Sequence, residues 1–263
     1  MTSLGDDTDL TTDDLIPHAD LGGANLSDSN LRGVDLTEAN LSGADLSESD
    51  LSGGQFVDVD FSEATLENAT LGGASFVGAD FSEADLTGVD AYHDIKTTDF
   101  YGVNFSDSSL QGANLIHASL INADAEAADF SEACLSFTDC TGARFSRADL
   151  SSVECLHGTL NEATVTEARI VEARMPYTAF DHADLSGSDC EGSELYGADF
   201  SHADLSDTDL SDTDLSESVL THATLSDATL TDAIFTDSTF NHATMDGEGV
   251  DTHDIKRAGG RFS

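Results

Sequence analysis

The sequence predicts an all-β solenoid, and three observations carry that prediction. A bulky apolar residue recurs at every fifth position from Phe200 to Met245, and a small residue stands two positions before each one. A period of five is neither the 3.6 of an amphipathic helix nor the 2 of a half-buried strand. Residues two apart in an extended segment face the same side, so each small and bulky pair points inward. The remaining two residues of each quintet turn a corner.

The repeat divides the chain into five parts. At 91–99 the register slips, so that Ala91 continues the first phase while Ile95 and Phe100 begin the second. In the N-terminal part, Thr12, Asp13 and Asp14 can cap one helical turn that covers the first open edge. The predicted parts are an acidic N-terminal tail and cap at 1–18, a first repeat block at 19–90, a register slip or short loop at 91–99, a second block at 100–245, and a C-terminal cap or tail at 246–263.

The quintets have a recognisable consensus. Stretches such as Ala44-Asp45-Leu46-Ser47 follow the pattern A(D/N)LSx, and this pattern resembles the pentapeptide-repeat family over roughly 19–245. The resemblance implies a right-handed quadrilateral β-helix with four quintets in each coil. Residues twenty apart would then stack, and the quintets would form about eleven coils spaced by the distance between paired strands.

The chain is strongly acidic. It has 52 acidic and 9 basic residues, a formal net charge of -43 and a pI near 4.1. Such a field opposes direct binding to nucleic acid or to an anionic membrane and favours basic partners. The same acidity is typical of proteins from salt-adapted organisms, so we expect either a functional or an environmental origin.

Two features of the sequence bear on the cellular location of the protein, namely its apolar runs and its cysteines. Leu10–Ile16 is too short and too acidic for a signal peptide, and no apolar run approaches membrane-spanning length. Cys140, Cys155 and Cys190 all occupy the bulky apolar position, which favours small core hydrophobes over a disulfide or metal framework. We therefore expect a cytoplasmic protein.

The chain contains no sequence motif of a known catalytic site. GxSxG, a Gly-rich loop followed by Lys-Ser/Thr, and HExxH are all absent. Ser, His and Asp are so common at the predicted corners that any triad would reflect composition. We expect a protein that is not an enzyme and that needs no cofactor.

Stacking the sequence by twenties places four histidines in one column above Glu162. One hypothesis is a ladder that binds a transition metal or senses pH, since neighbouring imidazoles can share an ion. The alternative is that a coil was duplicated together with its corner histidine. The histidines are His182, His202, His222 and His242.

A second set of corner positions carries apolar and aromatic residues where Ser, Gly, Asp or Glu stand elsewhere. A contiguous exposed patch of this kind indicates a protein contact or self-association. The alternative is that these side chains fold back onto the solenoid. The candidates are Ile116, Leu156 and Tyr196 on one line, His117, Phe137, His157 and Tyr177 on the next, and Ile121 one corner away.

The tetrapeptide HDIK occurs twice, at 93–96 and 253–256, and contains both lysines of the chain. It is either an array end duplicated with its repeats or a docking motif used twice.

Three functions follow from these features. The first is a rigid non-enzymatic scaffold that binds a protein partner through a β-helix face. The family resemblance implies the second, a DNA mimic of the fluoroquinolone-resistance type that binds DNA gyrase. The third is the metal-binding or pH-sensing histidine ladder.

Overall fold

The computed structural model describes residues 11–246, 255–256 and 259–261. It divides into two compact units, Met1–Cys134 and Leu135–Ser263, which are described separately. Residues 1–10 of the N-terminal tail predicted at 1–18, and residues 247–254, with His253 and Asp254 of the second HDIK copy, lie outside the described residues.

The first element in the described part of the chain is a 3-10 helix, Thr12–Asp14. The Asp14 carboxylate accepts hydrogen bonds from the backbone N–H and the hydroxyl of Thr11, both at 2.8 Å. The three residues predicted to cap a helical turn, Thr12, Asp13 and Asp14, therefore form the turn themselves, and its N-cap is Thr11. The side chain of Leu15, directly after the turn, is buried.

Chain pairing is parallel and occurs at one position in each quintet. In the first unit Asp20 pairs with Asn40, and in the second Asp184 pairs with Asp204. At the first of these bridges the Leu21 N–H donates to the Asn40 carbonyl at 2.8 Å, and the Asn40 N–H donates to the Ala19 carbonyl at 2.9 Å. Paired residues are twenty apart, so four quintets separate one layer from the next.

A tight turn joins consecutive quintets. The Ala24 N–H donates to the Leu21 carbonyl at 3.0 Å, and Gly23, the third residue of this turn, has a φ of +67°. At most equivalent positions the residue is not glycine but has a φ of 54–63°. No β-branched residue occupies this position in the described repeats, because branching at Cβ is poorly tolerated in the left-handed region.

The Asp or Asn of each quintet satisfies a backbone donor that neither the bridge nor the turn uses. The Asn25 Oδ1 accepts the Ser27 N–H at 3.1 Å and the Ser27 hydroxyl at 2.6 Å. The same pair of bonds joins Asp204 to Ser206 at 2.9 and 2.5 Å. This local side-chain turn explains why the consensus places Asp or Asn two residues before Ser.

The bulky position of each quintet lies in the core. In the first unit Phe76 stacks between Phe56 and Phe100, with both ring centroids 5.1 Å away. In the second unit Phe180 and Phe200 stack at 4.8 Å. The small residue beside each bulky one leaves space for these rings, as the sequence pattern predicts.

The cysteines at the bulky position are core residues. Cys140, Cys155 and Cys190 are buried and none forms a disulfide. Burial raises the pKa of the Cys140 and Cys190 thiols. The prediction of small core hydrophobes is confirmed.

The interruption of the repeat is an insertion of four residues. Ser75 pairs with Asp99, and Asp80 with Asn104, so partners here are 24 apart instead of 20. The Thr98 hydroxyl donates to the Ala91 carbonyl and accepts the Gly73 N–H at 2.8 Å, which closes the base of the loop.

The prediction that Ile95 begins the second phase of the core is wrong. Ile95 is 92% exposed, and Phe100 is the first bulky residue to return to the core. The loop closes between Ala91 and Thr98, so the residues between them stand outside the solenoid.

The described C-terminal residues pack on the end of the second unit. Arg261 pairs with Thr239, and the Phe240 N–H donates to the Arg261 carbonyl at 2.8 Å. Ile255 is 2% exposed. The two HDIK copies therefore differ, because Ile255 is buried where its counterpart Ile95 is exposed.

Within the part of the chain that the structure describes, no helix is long and apolar enough to span a membrane.

Candidate functional site

Four of the predicted contact residues form a continuous aromatic column in the second unit. The column consists of Phe137, His157, Tyr177 and Tyr196. The Phe137 and His157 ring centroids are 5.6 Å apart, and His157 stacks on Tyr177 at 5.1 Å. The Tyr177 and Tyr196 rings meet edge to face at 5.1 Å. The exposed Leu156 lies next to His157 in the chain.

The backbone of this column adopts an unfavourable conformation for bulky residues. Phe137, His157 and Tyr177 have φ values of 59°, 54° and 57°. The left-handed region costs a residue with a Cβ roughly 1–2 kcal/mol, and Asn, Asp and Gly occupy it more readily than Phe or Tyr. Phe137 and Tyr177 remain 46% and 45% exposed, so burial offsets only part of this cost.

Two contacts position Tyr177 and Tyr196, the last two residues of the column. The Tyr177 ring lies against Gly197, where a Cβ would fall 2.7 Å from its Cδ1 and Cε1 atoms. Hydrogen bonds with Tyr177 and Glu217 raise the pKa of the Tyr196 hydroxyl above its ordinary value. The aromatic surface therefore has the Glu217 carboxylate at its edge.

The remaining contact candidates belong to the first unit. Ile116 and Ile121 are half-buried, and His117 is exposed with its ring centroid 6.2 Å from that of Tyr92. Sequence reasoning did not single out Tyr92 or Tyr101, although both are exposed, with Tyr101 at 47%. The sequence signal that could have identified them as contact candidates was an aromatic residue at a turn position.

The four predicted histidines stack as the twenty-residue spacing implies. Ring centroids are 4.5 Å apart for His182 and His202, 5.1 Å for His202 and His222, and 4.9 Å for His222 and His242. All four residues have φ values of 60–62°. Histidine is among the residues enriched in this conformation, so the backbone accommodates the column without difficulty.

Asp181 joins the first two histidines, and sequence reasoning missed it. Its Oδ1 lies 2.9 Å from the His182 Nδ1 and 3.1 Å from the His202 Nδ1. Desolvation of Asp181 acts to raise the pKa of this carboxyl, but the hydrogen bonds and charges of His202 and His182 outweigh it and lower the pKa. The signal in the sequence was a carboxylate directly before the first histidine of the column.

Two arginines relieve acidic crowding in the second unit. The Arg174 Nη1 lies 3.2 Å from the Glu154 Oε1, and its Nε lies 3.2 Å from the Glu194 Oε2. The Arg169 Nη1 lies 3.5 Å from the Asp149 Oδ2. Exposed pairs of this kind contribute little individually. They do confirm the predicted stacking of residues twenty apart.

A depression of about 400 Å³ lies beside the 91–98 loop in the first unit. Sequence reasoning expected no cleft, but the loop creates this shallow one by standing away from the repeat. Its lining contains one lysine and one aspartate, and neither His nor Cys. The lining residues are Gln55, Ala74, Ser75, Lys96, Thr97, Asp99 and Ser119.

A family model described as pentapeptide repeats matches the chain in eight copies, over residues 18–53, 55–90, 98–136, 128–166, 177–212 and 213–247. The chain belongs to the pentapeptide repeat family. The resemblance seen in the A(D/N)LSx quintets is therefore confirmed. No curated protein matches the sequence of this pentapeptide repeat protein.

Solved structures of other family members resemble it. HetL, a pentapeptide repeat protein involved in heterocyst differentiation regulation from the cyanobacterium Nostoc sp. strain PCC 7120, is 25% identical with a TM-score of 0.53. That match covers 80% of this chain and 90% of HetL. The Nostoc protein alr5209 is 27% identical with a TM-score of 0.33, covering 48% of this chain and 84% of that one.

QnrB1, a plasmid-mediated fluoroquinolone resistance protein, is 19% identical with a TM-score of 0.30, and the match covers 83% of this chain and 93% of QnrB1. Of these three structures, HetL has the highest TM-score. Together with the family match, it supports a β-helix-like fold, as the quintet pattern predicts.

Proposed function

We propose that this protein is a non-enzymatic scaffold that binds a basic protein surface through the aromatic column of its second unit. The observation that carries the proposal is the exposure of Phe137 and Tyr177. Both stand at a turn position that most repeats fill with Gly or a polar or charged residue, and both leave a large ring about half exposed. A bulky ring is unusual at a left-handed position, and its exposure there favours a functional role over packing.

The charge of the chain identifies the kind of partner. The formal net charge is -43, and Glu217 bonds to Tyr196 at the edge of the column. A partner with exposed Arg or Lys would gain long-range attraction and could place these cations over the aromatic faces. A second copy of this chain would instead meet strong repulsion, so we favour a different protein over self-association.

Affinity capture with immobilised protein tests this proposal. We expect the double variant Phe137→Ser/Tyr177→Ser to stay folded and to lose a basic protein that the wild type retains. Tyr101→Ser is the matched control, because Tyr101 is equally exposed but lies in the first unit. Retention of the same proteins by all three would contradict the proposal. Sedimentation of the purified chain shows separately whether it self-associates.

DNA mimicry is the second candidate, and the same charge favours it. A strongly acidic surface could occupy the basic DNA-binding surface of DNA gyrase. Purified gyrase supercoiling assays at matched ionic strength test this function. Inhibition of supercoiling or protection from a fluoroquinolone would support it, and the absence of both effects would contradict it.

We also propose the finer description of the fold and its setting. The twenty-residue offset between paired residues supports four-sided coils, about eleven in number for the quintets of the repeat, and the family resemblance implies that they are right-handed. The buried cysteines without disulfides support a reducing cytoplasm. The excess of acidic residues supports an origin in a salt-adapted organism. A crystal structure tests the hand and the coil count.

A further inference from the structure

We propose that Asp181, His182 and His202 bind one divalent transition-metal ion on the second unit. These residues are distinct from the aromatic column, and their ligand atoms all lie within 4.8 Å of one another. The site is therefore independent of the proposed partner binding.

The carboxylate of Asp181 is at the centre of the cluster. Its Oδ1 lies 2.9 Å from the His182 Nδ1 and 3.1 Å from the His202 Nδ1. Zinc bonds to nitrogen and oxygen are about 2.0–2.2 Å, so a tetrahedral ion separates its ligand atoms by roughly 3.3 Å. The two aspartate–histidine distances are close to that separation before any adjustment.

The backbone positions these ligands. Asp181 is held by its own N–H, which donates to the Asn161 Oδ1 at 3.0 Å. The His182 and His202 rings are stacked at 4.5 Å and inclined by only 16°. Imidazole nitrogens bind a metal in the plane of the ring, so binding requires the two nearly parallel rings to tilt until both Nδ1 atoms and the Asp181 Oδ1 face one ion.

The carboxylate distinguishes this site from the rest of the histidine column. His222 and His242 stack at similar distances, but Thr221 and Asn241 precede them where Asp181 precedes His182. A hydroxyl or an amide is a weaker ligand for a transition metal than a carboxylate. The structure therefore limits the predicted four-histidine ladder to its first two members.

The ligand set also identifies the class of ion. Two imidazoles and one carboxylate suit Zn²⁺, Ni²⁺ and Cu²⁺, whereas Ca²⁺ and Mg²⁺ prefer oxygen ligands only. Three protein ligands leave a coordination position open to water. The order of affinity should be Cu²⁺ above Ni²⁺ and Zn²⁺, with no measurable competition from Mg²⁺.

Isothermal titration of the full chain with Zn²⁺ and Ni²⁺ tests the proposal, with the d–d absorption of bound Co²⁺ as a second readout. We expect one ion per chain, and at least a tenfold rise in Kd for Asp181→Asn and for His202→Asn. His222→Asn is the matched control, because it removes a stacked histidine in the same backbone conformation and should leave Kd unchanged. Asparagine suits the left-handed position of His202 and His222 and is close in size to Asp181, so all three variants should fold.

Three results would overturn the proposal. They are the absence of stoichiometric binding, binding that Asp181→Asn leaves unchanged, and a loss in His222→Asn equal to that in His202→Asn. The last two would indicate only the general affinity of surface histidines for metal ions.

Discussion

The ring of Tyr177 lies against Gly197, the left-handed glycine of the stacked quintet. A Cβ at Gly197 would fall 2.7 Å from the Tyr177 Cδ1 and Cε1 atoms. The backbone of Gly197, with a φ of +66°, resembles that of the many non-glycine residues at equivalent positions. What Gly197 provides at this turn is therefore space for the aromatic ring.

Gly197→Ala should displace the Tyr177 ring and weaken capture of the basic partner, with a stability loss of about 1 kcal/mol from the left-handed alanine. The matched control is Gly192→Ala, since Gly192 has a φ of +68° and the nearest atom to its added Cβ is the Glu172 Cγ at 3.9 Å. Both variants should lose similar stability by urea unfolding, but only Gly197→Ala should lose partner binding. Equal binding by the two variants would show that the ring position is unimportant.

The two isoleucines of the repeated tetrapeptide should respond differently to truncation. Ile255→Ala should destabilise the end of the second unit by about 2–4 kcal/mol, because it removes a buried side chain. Ile95→Ala should change stability by less than about 0.5 kcal/mol, because Ile95 is 92% exposed. Hydrogen exchange of the Phe240 amide, which bonds to the Arg261 carbonyl, reports the first effect locally. A neutral Ile255→Ala would contradict the capping role of this segment.

Ser29→Ala should stabilise the protein by about 1 kcal/mol, because a buried hydroxyl without a partner is costly. Ser29 is 2% exposed, and its Oγ has no hydrogen-bond partner among the described residues. At the equivalent position, the Ser49 Oγ donates to the Leu46 carbonyl at 2.5 Å. Ser49→Ala is therefore the matched control and should cost about 1 kcal/mol. Urea unfolding measures both, and a loss of stability in Ser29→Ala would contradict the assignment.

Stability should rise with salt, because acidic side chains face each other across the bridges of the second unit. Asp184 pairs with Asp204, whereas Asp199 pairs with Ala179 and Val219. The screening length falls from about 30 Å at 0.01 M salt to about 3 Å at 1 M. Asp204→Asn should reduce the dependence of Tm on KCl concentration more than Asp199→Asn does. Both asparagines retain the acceptor for the following Ser N–H. A Tm independent of KCl concentration would contradict a role for self-repulsion.

Most of the fold could be predicted from the sequence because every quintet obeys the same local constraints. A residue such as Leu26 must be buried, Asn25 must accept the Ser27 N–H, and the residue in the left-handed position cannot be β-branched. These constraints are local and repeat along the chain. Prediction was wrong at Ile95, where the loop is closed by Thr98 through bonds to Ala91 and Gly73, a long-range arrangement that no periodicity encodes.

The candidate sites were predicted less completely. The twenty-residue spacing predicted that His182 stacks with His202 and that Phe137 lies beside His157, because stacking follows from the repeat alone. Side-chain direction does not follow from the repeat. The turn of the Asp181 carboxylate toward two histidines and the position of Tyr177 against Gly197 depend on rotamers, which the structure supplies.

We propose that the aromatic column is retained for binding and not for stability. The decisive experiment is urea unfolding of Tyr177→Gly, combined with capture of the basic partner. Glycine removes a left-handed strain of roughly 1–2 kcal/mol and two ring pairings, with His157 and with Tyr196, worth about 0.5–1.5 kcal/mol each, so these terms largely cancel. We predict unchanged or slightly lower stability together with lost partner capture. A loss of more than about 2 kcal/mol, the scale of a buried core truncation, with capture intact, would contradict the claim.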